Sequence, residues 1–147
     1  MKLLIQRVNS ADVSVNGDVV GKIRKGLCVF VGIAANDTLA VLEKMADKLI
    51  QLRIFEDDAG KMNLSLQDVG GQALLVSQFT LLADCSKGRR PAFVNAGDPV
   101  VAKELYQKFC QIVADKGIDI QTGVFAADML VRIENDGPCT FWLDSEK

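Results

Sequence analysis

Two short polar segments of this sequence contain the groups best suited to chemistry. The first is Ser77-Gln78-Phe79-Thr80-Leu81, and the second is Asn135-Asp136-Gly137-Pro138-Cys139-Thr140-Phe141. Each sets hydroxyl or amide side chains directly against apolar residues that favour strands. The second also contains a Gly-Pro peptide, one of the few bonds able to be cis. These residue types indicate chemistry performed by hydroxyls and main-chain groups.

The sequence contains no histidine, the usual general base near neutral pH. Ser-His-Asp, Cys-His and histidine-ligated metal mechanisms are therefore excluded. The glycine-rich phosphate motifs G-x-x-x-x-G-K-S/T and G-x-G-x-x-G are also missing. Four scattered cysteines form no C-x-x-C pair, which favours reduced cytosolic thiols over a zinc site or a disulfide framework. We predict that the protein uses no metal and no cofactor.

The first polar segment ends an apolar run that predicts a strand from Ala73 to Leu82. Strand alternation would place Gln78 and Thr80 on one face. Ser77 and Phe79 would then point to the other face. On residue type alone, Thr80 could be a β-branched residue that simply fills a strand.

The second polar segment predicts a tight turn at Asn135-Asp136-Gly137-Pro138. On the residues alone an ordinary turn is favoured over a cis Gly-Pro site, because only about 5–6% of X-Pro bonds are cis in folded proteins. This turn would join two closing strands, residues 129–134 and 140–143. Cys139 could be a nucleophile in principle. It has no basic neighbour that would lower its pKa, so a packed thiol explains it better.

Composition and charge limit the range of partners. The formal net charge of −2 argues against a broad nucleic-acid-coating surface, and the only basic cluster is Lys87-Gly88-Arg89-Arg90-Pro91. So short a run is typical of a solvated loop, although it could grip a few phosphates. No apolar run approaches the ~20 residues needed to cross a bilayer, and Gln6 and Arg7 interrupt the apolar start before a signal peptide could form. We expect a cytoplasmic protein that binds neither membranes nor DNA.

Hydrophobic patterns predict one α+β domain over residues 1–147, with much antiparallel sheet and two amphipathic helices on one side. Asn16-Gly17 between β-branched residues predicts a hairpin with a type I′ turn. The apolar run from Leu27 to Ile33 predicts a strand buried on both faces. Helical spacing predicts a first helix from about Leu39 to Ile50 after an N-cap at Asp37 or Thr38, and a second helix from Asp98-Pro99 to near Gly117.

Taken together, the two polar segments resemble the signature of the D-aminoacyl-tRNA deacylase family, also called D-tyrosyl-tRNA deacylases. The resemblance runs from end to end of the chain. Its further stretches are Gln6-Arg7-Val8, Arg53-Ile54-Phe55, Gly60-Lys61-Met62-Asn63, Arg90-Pro91 and Thr122-Gly123-Val124-Phe125-Ala126-Ala127-Asp128-Met129. Cys139 stands where valine is common in the family, a conservative packing change.

The resemblance implies a mostly antiparallel, barrel-like core and an enzyme that hydrolyses the ester between a D-amino acid and the 3′ end of tRNA. Glycyl-tRNA(Ala) is the second implied substrate. The family likeness also implies a homodimer with its active sites at the subunit interface. In it, Gly137-Pro138 would be a cis dipeptide that one subunit inserts into the site of the other. A rigid main-chain wall beside the α-carbon would reject L side chains and admit hydrogen or a D side chain.

The same resemblance assigns roles to particular residues. Ser77, Gln78, Phe79 and Thr80 would form the adenosine and oxyanion pocket, with backbone N–H groups around Phe79-Thr80 holding the oxyanion. Water attack assisted by the 2′-OH of the terminal adenosine is favoured over a covalent Thr80 nucleophile, because nothing visible would deprotonate Thr80. The supporting and pocket residues would be Arg7, Phe125, Ala126, Met129 and Asn135. We infer from their charge, and not from the resemblance, that Lys87, Arg89 and Arg90 are candidate contacts to acceptor-stem phosphates.

Two other functions stay open on the sequence alone. The first is a module that binds the end of aminoacyl-tRNA and shields it without cleaving it. The second is an esterase for unrelated small esters that uses a threonine or cysteine nucleophile.

Overall fold

The computed structural model describes all residues from 1 to 147. It contains eight strands, two α-helices and one 3-10 helix. In chain order these are β1 (Lys2–Val15), β2 (Asp18–Ile23), β3 (Gly26–Gly32), α1 (Leu39–Gln51), β4 (Phe55–Glu56), β5 (Met62–Leu64), β6 (Gln72–Ser77), the 3-10 helix (Phe79–Leu82), α2 (Pro99–Asp115), β7 (Asp119–Thr122) and β8 (Leu130–Asp144). Neither α-helix is long and apolar enough to cross a bilayer.

Local sequence signals account for the hairpin and for both α-helices. Asn16 and Gly17 have φ angles of 50° and 85°, as the predicted type I′ turn requires. The Thr38 hydroxyl caps α1 by accepting the N–H of Val41. The Asp98 carboxylate caps α2 by accepting the N–H groups of Val100 and Val101, and Pro99 is the first residue of that helix. These predictions are confirmed.

Most of the strands form one sheet that is almost closed into a barrel. Its order is β2-β1-β3-β6-β7, and β8 pairs with β1 along almost the whole of β1, from Lys2 to Ser14. The β1 pairings are antiparallel, whereas β3–β6 and β6–β7 are parallel. β2 also contacts β7 across the remaining gap. The predicted α+β fold with a barrel-like sheet and two helices is confirmed.

The strands at the centre of the sheet are buried on both faces because each face has its own core. Leu27 and Val29 of β3 pack with α1 and α2 in a core of 25 buried residues. Cys28 of β3 and Leu74 of β6 point the other way, into a smaller core of seven buried residues on the opposite face. Successive side chains of an apolar strand therefore point into two different cores, and β3 is buried on both faces, as the sequence predicts.

The strand predicted from Ala73 to Leu82 is wrong beyond Ser77. β6 ends there, the N–H of Gln78 donates to the carbonyl of Val31 at 2.8 Å, and the chain then enters the 3-10 helix. The cause is that the partner strand β3 ends at Gly32. Leu82 packs so closely over that glycine that a Cβ there would lie 2.5 Å from its side chain. The predicted alternation of the side chains from Ser77 to Thr80 therefore does not occur.

The predicted turn between two closing strands is also wrong. β8 is a single strand that runs through the second polar segment while paired with β1. Gln6 pairs with Thr140 and Val8 pairs with Asn135, so residues 136–139 have no partner on β1 and bulge out. The segment therefore displays Gly137 and Pro138 without reversing the chain.

Candidate active site

A cavity of about 480 Å³ lies where β3 and β6 end, and it brings six of the fourteen predicted site residues together. Its other walls come from the 3-10 helix, the start of α2 and the segment before β8. Eleven of its sixteen lining residues are hydrophobic, so a ligand that binds there is largely removed from contact with water. The predicted residues that line it are Ser77, Gln78, Phe79, Phe125, Ala126 and Met129.

The first polar segment presents unpaired main-chain donors beside this cavity. The N–H groups of Phe79 and Thr80 open the 3-10 helix and donate to no group of the protein. The Thr80 side chain is exposed, and its hydroxyl accepts a hydrogen bond from the Gln78 amide. No basic group contacts that hydroxyl. The geometry can therefore stabilise a negatively charged oxygen, but it provides no base for a threonine nucleophile.

The opposite wall of the cavity is a constrained turn before β8. Ala126 has a φ of +63°, a left-handed conformation that residues with a Cβ rarely adopt. The N–H of Ala127 donates to the carbonyl of Val124, which closes the turn. The Phe125 ring lies 5.8 Å from the ring of Tyr106, whose hydroxyl in turn donates to the Leu75 carbonyl at 2.8 Å. This wall is held in place by packing against α2 and β6.

Gly137 and Pro138 do not line the cavity of their own chain. The peptide bond between them is cis, Gly137 has a φ of +121°, and both residues are exposed. The bulge that carries them is held from below by the Asn135 amide, which donates to the carbonyls of Arg7 and Cys139 at 3.0 Å each. A fixed, outward-facing main-chain segment results.

Arg7 contacts the same bulge, for which the family resemblance implies a supporting role of this residue. Its Nη1 donates to the Ile54 carbonyl at 2.7 Å, and its Nε lies 3.0 Å from Oδ2 of Asp136. That second contact is an ion pair without a well-directed hydrogen bond, since the Nε–H does not point at the carboxylate. The guanidinium thus fixes one end of the bulge to β1 and to the chain before β4.

Comparison with known proteins gives the family of this chain. The family described as D-Tyr-tRNA(Tyr) deacylase matches residues 4–144. The chain belongs to this family. It is 50% identical over 147 residues to a D-aminoacyl-tRNA deacylase of Fervidobacterium nodosum, and 52% identical over 147 residues to one of Clostridium perfringens. Each alignment covers 100% of this chain and 99% of the relative.

Solved structures have the same deacylase-family fold. A protein described as c-Myc DNA Unwinding Element Binding Protein superposes with a TM-score of 0.94 at 39% identity, covering 98% of both chains. A probable eukaryotic D-amino acid tRNA deacylase superposes with a TM-score of 0.84 at 20% identity, covering 97% of both chains, and shows the fold alone. The prediction of a hydrolase of the D-aminoacyl-tRNA deacylase family is confirmed.

Cys139, next to the Gly137-Pro138 bulge, is poorly suited to act as a nucleophile. Cys139 is buried, and loss of water contact raises its pKa. The prediction that Cys139 has no basic neighbour is wrong, because Arg7 lies close enough to lower that pKa, but burial outweighs it. A thiol that stays protonated is a poor nucleophile, so Cys139 packs the base of the bulge.

The predicted RNA contacts lie outside the cavity. Lys87, Arg89 and Arg90 are exposed in the loop between the 3-10 helix and α2, and they form no ion pairs within the chain. The loop returns to the site at Phe93, whose ring lies 4.9 Å from that of Phe79. The loop that carries these three basic residues is therefore connected to the cavity wall through the contact between Phe93 and Phe79.

Sequence reasoning did not assign ten of the sixteen residues of the cavity wall. These residues come from β3 and the residue after it, from β6, from the entry into α2, and from the turn before β8 and the start of that strand: Phe30, Val31, Ile33, Val76, Gly97, Pro99, Ala102, Ala127, Asp128 and Val131. Most are apolar and look like core residues in sequence, so only their three-dimensional positions reveal them. No three cysteine or carboxylate side chains come together as a metal site would require.

Proposed function

We propose that this chain hydrolyses the ester bond of D-aminoacyl-tRNA and releases the free D-amino acid and the tRNA. Glycyl-tRNA(Ala) is its second substrate. The observation that carries the proposal is the pair of unpaired N–H groups of Phe79, which lines the 480 Å³ cavity, and of Thr80, the next residue along the chain. Two adjacent donors that no protein group uses suit the oxyanion of an ester hydrolysis. Family membership gives the class of ester.

The reaction needs no titrating side chain. The oxygen of a water molecule attacks the ester carbonyl carbon, and the carbonyl electron pair moves to the oxygen that faces Phe79 and Thr80. The 2′-OH of the terminal adenosine relays the proton of the water to the departing 3′-oxygen as the C–O bond breaks. The absence of histidine and of any base at Thr80 supports this route over a covalent threonine intermediate.

The proposed enzyme is a homodimer in which each Gly137-Pro138 bulge enters the cavity of the partner. Both residues are exposed and lie outside their own cavity, yet Arg7 and Asn135 hold their main chain firmly. On the same strand Leu130 is 59% exposed and Trp142 is 46% exposed. Large apolar side chains at such exposure support an interface with a second copy.

Selection by chirality follows from a main-chain wall beside the α-carbon. The carbonyls of the inserted bulge accept hydrogen bonds from the α-ammonium, and the backbone leaves no room for an L side chain. A D side chain points away from the wall and needs no specific pocket, so many D-amino acids are accepted. Glycine has no side chain to reject, which supports glycyl-tRNA(Ala) as a substrate.

RNA is the proposed nucleic-acid partner, and the cytoplasm is the proposed location. The basic loop, defined as residues 84–92, offers Lys87, Arg89 and Arg90 to acceptor-stem phosphates next to the cavity rim. With a formal net charge of −2, the chain has no basic excess for coating duplex DNA. The name of one structural relative mentions a DNA element, and for this chain we keep the prediction that DNA is not a partner.

The decisive experiment compares matched D-tyrosyl-tRNA and L-tyrosyl-tRNA with purified protein. We expect rapid release of D-tyrosine and a rate for the L-ester equal to that without enzyme. Binding of D-tyrosyl-tRNA without release of tyrosine would support the shielding module instead. Hydrolysis of simple esters without tRNA, with an acyl group trapped on Thr80 or Cys139, would support the nucleophile esterase.

A further inference from the structure

One charged residue lines the cavity, and the reaction described above does not use it. Asp128 is the only acidic or basic residue among the sixteen that form the walls. Its carboxylate is exposed and forms no ion pair within the chain. No side-chain or main-chain donor of the protein reaches it either. An unpaired carboxylate in a mostly apolar cavity has its hydrogen-bonding capacity free for a ligand.

The position of Asp128 is set by the constrained turn that precedes it. Gly123 donates its N–H to the Leu75 carbonyl at 3.2 Å, which fastens the start of this segment to β6. Ala126 then takes its left-handed conformation, and β8 begins just after Asp128, at Leu130. An unfavourable backbone conformation that is held by both flanking strands is common where a side chain must be presented to a ligand.

The charge of Asp128 is unfavourable for binding RNA as such. A carboxylate close to a site for a nucleic-acid end repels its phosphates, and no basic residue in the cavity wall offsets that repulsion. The aminoacyl group offers one cation, its α-ammonium, which lies two bonds from the ester carbonyl carbon and is largely protonated near neutral pH. Moving that cation into an apolar cavity is costly unless an anion is near.

We infer that Asp128 is the counter-charge for the substrate α-ammonium and makes the enzyme specific for esters with a free α-amine. The inference rests on the proposed function and extends it. Main-chain carbonyls of the partner's bulge are neutral acceptors, whereas Asp128 contributes a negative charge, and charge-assisted hydrogen bonds are roughly twice as strong as neutral ones. Acyl esters that carry a hydroxyl or a blocked amine at the α-carbon lack the cation, so they gain much less from the charge of Asp128.

The test compares two esters that differ only at the α-carbon substituent. D-phenylalanyl-tRNA carries the ammonium, and D-3-phenyllactyl-tRNA has a hydroxyl in its place. We expect Asp128→Asn to lower kcat/KM about tenfold for the first ester, the size of a lost charged hydrogen bond, and to leave the second within about twofold. Asp128→Glu should restore most of the preference for the ammonium ester. Asp58→Asn removes an equal charge from an exposed turn away from the cavity and should change neither rate.

Each outcome has a definite meaning. An equal loss on both esters in Asp128→Asn would make Asp128 a structural residue and overturn the inference, as would no loss on either. Failure of the unmodified enzyme to hydrolyse D-phenylalanyl-tRNA would instead contradict the proposed function.

Discussion

Arg7 of β1 and Asp136 of β8 form an ion pair, with Nε and Oδ2 3.0 Å apart, at the foot of the Gly137-Pro138 bulge. The Arg7 side chain is 7% exposed and that of Asp136 is 42% exposed. The contact therefore joins a buried scaffold to an exposed main-chain segment. Arg7 and Asp136 are far apart in sequence, and both lie next to the Gly137-Pro138 bulge, on which the proposed chiral selection depends.

Replacing Arg7 tests this support directly. Arg7→Met leaves the Ile54 carbonyl without its donor, so we expect the free energy of unfolding to fall by about 2 kcal/mol. Deacylation of D-tyrosyl-tRNA should fall as the bulge loosens. The control is Arg132→Met, because Arg132 pairs with Asp12 while 60% exposed and should contribute no more than about 1 kcal/mol. If urea unfolding shows the same loss in the free energy of unfolding for both variants, Arg7 stabilises the bulge no more than an exposed ion pair would.

The main-chain donors at the 3-10 helix can be tested with proline. Phe79→Pro removes the Phe79 N–H at the first helical position, where proline is well tolerated, and Gln78 before it is already non-helical with φ −149° and ψ 84°. Phe79→Ala shortens the side chain and keeps the N–H. We expect kcat of the proline variant to lie about 10²–10³-fold below that of the alanine variant. Equal kcat values would remove the Phe79 N–H from the oxyanion site.

The Thr80 hydroxyl should be dispensable. Thr80→Ala keeps the N–H of residue 80 and removes only a hydroxyl that no base contacts, so we expect kcat within about tenfold of the unmodified enzyme. Replacing the 2′-OH of the terminal adenosine with hydrogen should slow cleavage far more. Complete loss of activity in Thr80→Ala, with D-tyrosyl-tRNA still bound, would support the covalent threonine route.

Enlarging Gly137 should damage the site at the bulge. A Cβ there would lie 3.1 Å from the Cys139 nitrogen and 3.2 Å from Arg7 Nη2, and its φ of +121° disfavours any L side chain. We expect Gly137→Ala to lose turnover of D-tyrosyl-tRNA or to admit L-tyrosyl-tRNA. Gly17→Ala is the matched control, because Gly17 also has a positive φ but no atom within 4 Å of its Cβ position. If Gly137→Ala keeps full D-turnover and full L-rejection, the chiral wall lies elsewhere.

Buried thiols should make the protein less stable at alkaline pH. Burial raises the pKa of Cys28 to about 12 and that of Cys110 to about 11. Above the ordinary thiol pKa of 9.0, the unfolded chain releases these protons while the folded chain keeps them. The free energy of unfolding therefore falls as pH rises from 9 to 11, by at most about 1.4 kcal/mol per pH unit for each thiol. Urea unfolding of Cys28→Ala should show a shallower decline, and an unchanged slope would contradict this origin.

The sequence by itself determined the parts of the molecule that depend on near neighbours. The Asn16-Gly17 turn and the capped helix starts at Thr38 and Asp98 follow from the conformations available to a few adjacent residues. The two polar segments were sufficient to indicate the deacylase family, because their residue types and order are specific. The structure brings Ser77 to Phe79, Phe125, Ala126 and Met129 into one cavity, while their roles stay predictions.

Only the tertiary structure decided how those segments are displayed. β6 stops at Ser77 because its distant partner β3 ends, and residues 136–139 bulge because β1 continues on both sides of them. The cavity wall contributed by Val31, Ala102 and Asp128 depends in the same way on which elements pack together. The physical reason is that strand length and pocket shape depend on pairing partners that can lie more than a hundred residues away, which local propensity does not encode.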